Sequence, residues 1–306
     1  MKKLTTLLSF LAFYFSGFSQ HEFDKWVFGN GTGIDFTSGT PTVFSSNISA
    51  WDNSASIADA NGNLLFYSEG TKIYDKNGNI MPNGNGILGD TSGGQPATIV
   101  RKPGSEQLYY VFTVPNFGGP NGLRYSIVDM SLNGGTGDVD TAHKNILFYT
   151  PTAEKIIPVL HSNGFDIWIL AHEWNTNTFR AYLLTANGFV TNYVASTIGS
   201  VHGGSTNNAI GQLTVTKAGD KVACCLWQDG IIEIFNFNSQ SGVLTNAKSI
   251  SGYHAVLGLE FSPDGSKLYA TNYLGPNLTQ FDLSNYTQAA IIASATTVGT
   301  LPLHNT

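Results

Sequence analysis

The side chains able to do chemistry are few and scattered. The chain of 306 residues holds seven His, two Cys, 21 Asp+Glu and 15 Lys+Arg. The two cysteines, Cys224 and Cys225, are adjacent. Neighbouring Cα atoms lie about 3.8 Å apart, less than a disulfide usually spans. In a strand running from Lys221 to Trp227 they face opposite ways, so both read as packing residues. His161, His172, His202 and His254 come from separate stretches, with no His-x-x-x-His or Cys-x-x-Cys spacing among them. That spacing is what a metal motif needs, so no metal and no cofactor is expected. Asp59-Ala-Asn-Gly-Asn63 and Asp75-Lys-Asn-Gly-Asn79 look like calcium loops. Neither has the distal bidentate Glu of an EF-hand, and Asn-Gly is foremost a hairpin signal. No Gly-x-Ser-x-Gly elbow marks a nucleophile.

The chemistry left is recognition. Trp51, His172, Trp174, His202, Asn208, Trp227, His254 and Tyr273 combine flat rings with amides and imidazoles. Rings stack on the C–H faces of sugars, and the polar groups supply the donors and acceptors that hydroxyls need. These eight are the candidate ligand-binding residues.

What must position them is a set of repeated strands. Leu213–Val222 and Leu259–Leu268 align at an offset of 46 residues, Gly219 on Gly265, Lys221 on Lys267 and Phe235 on Phe281. A period of about 40–50 residues with several strands in each is the signature of a propeller blade. Earlier hairpins keep the pattern. They turn at Asn61-Gly62, Pro103-Gly104 and Asn163-Gly164 into Leu65, Leu108 and Ile167. The runs Leu108–Phe112 and Ile167–Ala171 are continuously apolar, as a strand covered on both faces must be. The fold class is therefore an all-β propeller of four-stranded blades, with five blades visible as part of an incomplete seven-bladed ring. Trp26–Phe44 should supply up to three outer strands of a closing blade. In such a blade the loops before the first strand and after the second share one end of the ring. All eight candidate residues fall in those loops, whereas the Asn-Gly and Asp-Gly turns lie at the other end.

Lys2 and Lys3 precede the apolar stretch Leu4–Phe15, which is too short to span a bilayer, and small residues follow. This reads as a signal peptide over residues 1–19, with the propeller occupying 20–306. Losing two lysines moves the formal charge from −6 to −8. That balance leaves no footprint for nucleic acid and no basic patch for an anionic membrane. Charged residues are 12% of the chain, about half the usual share of roughly 25%, and aromatics also make up 12%.

An ordered set of motifs carries a family resemblance. It comprises Trp26-Val-Phe-Gly-Asn30 with Gly33-Ile-Asp-Phe36, Asn61–Tyr67, Met81-Pro-Asn-Gly84, Leu123–Met130 and Asn133–Asp138. Glu154-Lys155, Asp166-Ile-Trp168 and the Phe261-Ser-Pro-Asp-Gly-Ser-Lys-Leu-Tyr-Ala270 blade complete it. Together they resemble the N-terminal propeller of bacterial surface proteins that carry a gliding-motility-associated C-terminal domain and leave the cell by type IX secretion. In that family further blades and a sorting domain follow, so a shortened ring is expected here. The resemblance implies export to the cell surface or the medium, or residence in the periplasm without the sorting domain. The expected function is non-catalytic binding of a surface glycan or surface protein, with no nucleic acid and no membrane insertion after cleavage. The alternative is a propeller enzyme of lactonase, lyase or dehydrogenase type with its site in the central channel.

Overall fold

The computed structural model describes residues 21–300. The signal segment expected over residues 1–19 lies outside them. The described residues fold as six antiparallel sheets in sequence order. The first has three strands, Lys25–Phe28, Asn30–Asp35 and Thr42–Ser49. The second has four, Ala55–Ala58, Leu64–Ser68, Lys72–Asp75 and Ile80–Asn85. The third is built from Ala97–Arg101, Leu108–Thr113 and Leu123–Asp129, and two short strands share its outer edge. The fourth runs through Thr152–Leu160, Ile167–Glu173 and Thr176–Thr185, with its outer edge shared by Gly188–Phe189 and Val194–His202. The fifth is Leu213–Val215, Lys221–Leu226, Ile231–Asn238 and Val243–Ser251. The sixth is Val256–Phe261, Lys267–Asn272, Asn277–Asp282 and Thr296–Thr300. Among the described residues one α-helix, Gln288–Ala293, is shorter than two turns.

Each sheet is a simple meander, and the first strands of successive sheets lie beside one another from the second sheet to the sixth. That is the arrangement of propeller blades about an axis. The count is six, not the five of an incomplete seven-bladed ring. The segment expected as a remnant of a closing blade is a sheet in its own right. It packs on the second sheet through Val27, Ile48 and Ala50 against Tyr67 and Tyr74. It has three strands because Trp26–Phe44 contains only two reversals before the chain leaves for the second sheet.

The core lies between the sheets. Separate apolar clusters fill each interface: Phe66, Ile73 and Val111 between second and third, Phe112, Ile156 and Ile169 between third and fourth. Leu170, Phe179, Cys224 and Phe235 lie between fourth and fifth, and Cys225, Ile234, Leu268 and Phe281 between fifth and sixth. Cys224 and Cys225 thus fill opposite faces of one strand, both free and buried. Among the described residues no apolar cluster joins the sixth sheet to the first.

The hairpin turns require glycine. Gly62, Gly164, Gly219 and Gly265 all have positive φ, between 68° and 79°, a region where a side chain is strained. At the other end, the channel between the first strands is bridged by Gln95. Its carboxamide oxygen accepts from Ile156 N at 3.2 Å and Leu213 N at 3.0 Å, and its Nε2 donates to Leu213 O at 3.0 Å. One side chain ahead of the third sheet therefore ties together the inner strands of the fourth and fifth.

Candidate functional site

The meander topology puts all eight candidate residues at the Gln95 end of the ring, as the blade pattern requires. Their exposure divides them. Trp51 is 84% exposed and Tyr273 49%. His254 is exposed and Trp227 half-buried. His172, His202, Asn208 and Trp174 are buried, the two histidines completely.

Trp227, His254 and Tyr273 form one group where the fifth and sixth sheets meet. The Trp227 and His254 rings lie 5.6 Å apart between centroids at 51°. Ala255 ties the three together: its N–H donates to Trp227 O at 2.9 Å, and its carbonyl accepts from Tyr273 N at 2.9 Å. His254 Nδ1 meets Gln228 O at 3.0 Å, which fixes the ring. The neighbouring Gln228 Oε1 accepts from Asn207 Nδ2 at 3.2 Å. Two aromatic rings, an imidazole and two side-chain amides therefore share one accessible surface. Trp51 stands on a different loop, beside the 91–94 segment: Asp52 N donates to Thr91 O, and Asn53 Nδ2 donates to Gly94 O at 2.6 Å.

The other four residues build the floor below that surface. Trp174 is covered by the loop at Asn116–Gly118, and a Cβ on Gly118 would lie 2.9 Å from the indole. It packs with Ala153 and Ala209. Asn208 is a clamp: its Nδ2 donates to Gly203 O at 2.9 Å and its Oδ1 accepts from Asp229 N at 3.1 Å. His172 and His202 stack face to face, centroids 3.5 Å apart at 11°. Burial comes first among the causes that hold both well below the ordinary imidazole range; the Lys155 charge adds to it.

Several titratable groups that carried no expectation of a role meet here. Glu154 and Lys155 begin the inner strand of the fourth sheet, and both are fully buried. Lys155 Nζ donates to the carbonyls of Asn208, Ala209 and Ile210 at 3.2, 2.8 and 2.9 Å. Burial pushes its pKa down. The Glu154 carboxylate accepts from Gly94 N at 2.5 Å and Phe117 N at 2.7 Å, and burial pushes it up. Between the fourth and fifth sheets, ligating atoms of His202, Cys224 and Glu233 lie within 4.8 Å of one another, all buried. The sequence offered no sign of this trio, because it comes from three different strands at spacings that match no motif. The pairing of Leu213–Val215 with Lys221–Leu226 and then with Ile231–Asn238 brings Cys224 directly opposite Glu233.

No protein-family profile matches the chain, and no curated protein matches it. Solved structures of similar shape exist. A Bacteroides fragilis protein provisionally assigned as a 6-phosphogluconolactonase is 12% identical, with 90% of this chain and 94% of that one covered and a TM-score of 0.45. A protein of unknown function from Desulfotomaculum acetoxidans is 17% identical over 83% of this chain and 75% of its own, at 0.46. Hsv2 of Kluyveromyces lactis is 13% identical over 83% and 67%, at 0.45. Likeness at this level says nothing of a ligand or a reaction.

Proposed function

We propose that the chain is a non-catalytic, exported binding module that recognises a surface glycan at the Gln95 end of the ring. Export is supported by the Lys2-Lys3 and Leu4–Phe15 pattern and by the resemblance to type IX secretion surface proteins. The observation that carries the binding reading is a sorting of side chains. At this end, Trp227, His254 and Tyr273 are accessible to a ligand, whereas Glu154, Lys155, His172, His202, Cys224 and Glu233 are all buried. A sugar needs a ring to stack on and amides to bond, and Trp227 with the Gln228 and Asn207 side chains beside it supplies both.

Such a site gives weak affinity, because each hydroxyl exchanges water for protein at little net gain. It should respond little to salt, since no charged pair dominates it. The test is a glycan array followed by calorimetry with the best hit. Replacing Trp227 and His254 together by Ala should weaken binding at least about tenfold, equivalent to about 1.4 kcal/mol, with the fold intact. An array on which nothing is retained, or a double variant that binds as the parent does, refutes the glycan reading. A loop of a surface protein then becomes the ligand to pursue by pull-down from surface extracts.

A further inference from the structure

Three buried groups meet between the fourth and fifth sheets, and one of them, His202, lacks a partner that burial demands. His202 Nε2 faces Cys224 Sγ at 3.9 Å and Glu233 Oε2 at 3.9 Å. Its Nδ1 has no hydrogen-bond partner. An imidazole with neither nitrogen in hydrogen-bond reach of an oxygen is unusual in a fully buried position, where polar atoms are nearly always paired. Glu233 is held in place from behind. Its Oε1 accepts from Ser200 N, Ser200 Oγ and Ser249 Oγ at 3.0, 3.0 and 2.8 Å. Its Oε2 has Ser200 N at 3.1 Å and otherwise faces His202. Gly199, with φ +81°, lies so close that a Cβ would sit 2.8 Å from Oε2.

A Cys–His–Glu relay does not explain this arrangement. In a relay the carboxylate holds one imidazole nitrogen and the nucleophile meets the other. Here thiol and carboxylate both converge on Nε2, and Nδ1 is left over. Convergence of a nitrogen, a sulfur and an oxygen on a common point is instead the geometry of a cation site.

We propose that His202 Nε2, Cys224 Sγ and Glu233 Oε2 bind a zinc-type divalent cation that pins the fourth sheet to the fifth. Zinc takes S, N and O donors at about 2.0–2.3 Å in tetrahedral array, which sets donor-to-donor separations of about 3.3–3.6 Å. The two 3.9 Å separations lie a few tenths of an ångström outside that range, and all three donors lie within 4.8 Å of one another, so the site closes on the ion by a small inward shift. One thiolate and one carboxylate balance a dication, and the buried Lys155 ammonium acts on the same group from the inner strand. Binding releases the Cys224 thiol proton to solvent, and burial otherwise keeps that thiol protonated. The serine donors on Glu233 fix the orientation of its carboxylate, as hydrogen bonds behind a metal-bound carboxylate do. A further buried acceptor without a partner, His172 Nε2, belongs to the ring stacked on His202. Its Nδ1 meets Glu173 O at 2.9 Å; stacked parallel to His202, it lies beside the site and its lone pair does not point at the same ion. Because the trio is fully buried, the ion must enter as the chain folds.

The test is to refold the purified full chain with zinc, with cobalt(II), or with chelator, and to dialyse each. Elemental analysis should find about one zinc per chain, and the zinc form should melt higher than the chelated form. The cobalt form should show a sulfur-to-cobalt charge-transfer band. Cys224→Ala should lose the band and the retained zinc. Cys225→Ala, which removes a thiol from the opposite face of the same strand, should keep both. A folded parent chain that retains no metal and melts identically with zinc and with chelator overturns the proposal. So does a charge-transfer band that survives in Cys224→Ala.

Discussion

Replacing Lys155 with Met tests how the floor of the binding end is held. The side chain is fully buried, and its ammonium donates to three consecutive carbonyls, those of Asn208, Ala209 and Ile210. Two large terms oppose each other. Hydrogen bonds to a charged group contribute about 1.5–3 kcal/mol each, so three give roughly 4–9 kcal/mol gross. Burying the ammonium costs several kcal/mol. The native arrangement thus gains little net, but the substitution is not neutral. Met fills the volume and removes the desolvation cost, yet it leaves three buried acceptors unmet at about 1–3 kcal/mol each. It also takes from Glu154 the positive charge beside it. The expected loss is about 3 kcal/mol, which for a chain of this size lowers Tm by about 6–12 °C. Calorimetry and guanidinium unfolding measure it, with an unchanged m-value as the sign that only stability moved. Hydrogen exchange should accelerate locally over residues 203–211, where Asn208 clamps Gly203 and Asp229. Lys155→Gln, which keeps two donors, should recover part of the loss. A Met variant as stable as the parent would mean that the desolvation cost outweighs the three bonds, and the account of the floor would be wrong.

Two further outcomes follow from local geometry. Gly211 has φ +118°, and a Cβ there would lie 2.5 Å from the Cys225 carbonyl oxygen and 2.8 Å from its sulfur; Gly211→Ala should therefore cost about 3 kcal/mol, read as a lowered denaturant midpoint. The bond from Lys25, with those from Thr37, holds Asp35 down to about 2. A carboxyl depressed in the fold stabilises above its unfolded pKa of about 3.9 and loses that contribution as pH falls toward 2. The parent should therefore lose stability relative to Asp35→Asn between about pH 4 and pH 2, by ~1 kcal/mol at most because the pair is partly solvated. Equal acid profiles for the two would remove Asp35 as a brace of the first sheet.

The sequence made the blades legible because each depends on local chemistry. A turn that needs positive φ selects glycine, so Gly62, Gly164, Gly219 and Gly265 announced their hairpins. An inner strand covered on both faces must be apolar throughout, so Leu108–Phe112 and Ile167–Ala171 announced theirs. The two strictly spaced repeats became the fifth and sixth sheets. The end of the ring on which the candidate residues lie was equally legible, since antiparallel order alone decides it. The family resemblance adds an expectation about export that the fold does not address.

Depth was not legible, and it is depth that separates a ligand site from a structural one. His172 and His202 sit in the last residues of strands, and Trp174 and Asn208 just beyond them, where a chain read in one dimension looks exposed. What buries Trp174 is an insertion from the preceding sheet, at Asn116–Gly118. That loop's Phe117 N–H is claimed by Glu154, on the inner strand of Trp174's own sheet. No local pattern encodes a cover that arrives from some 57 positions away in sequence. The same holds for His202, Cys224 and Glu233, whose convergence needs two strand registers and one sheet interface to be fixed first. Motif reading succeeds for metals when one loop or one helix supplies the ligands, because spacing then stands in for geometry. In stacked sheets the ligands of one site come from different strands, and spacing carries no such information. The accessible Trp227, His254 and Tyr273 escape this difficulty because short bonds hold them: Ala255 ties Trp227 to Tyr273 through their backbones, and Gln228 O fixes the His254 ring.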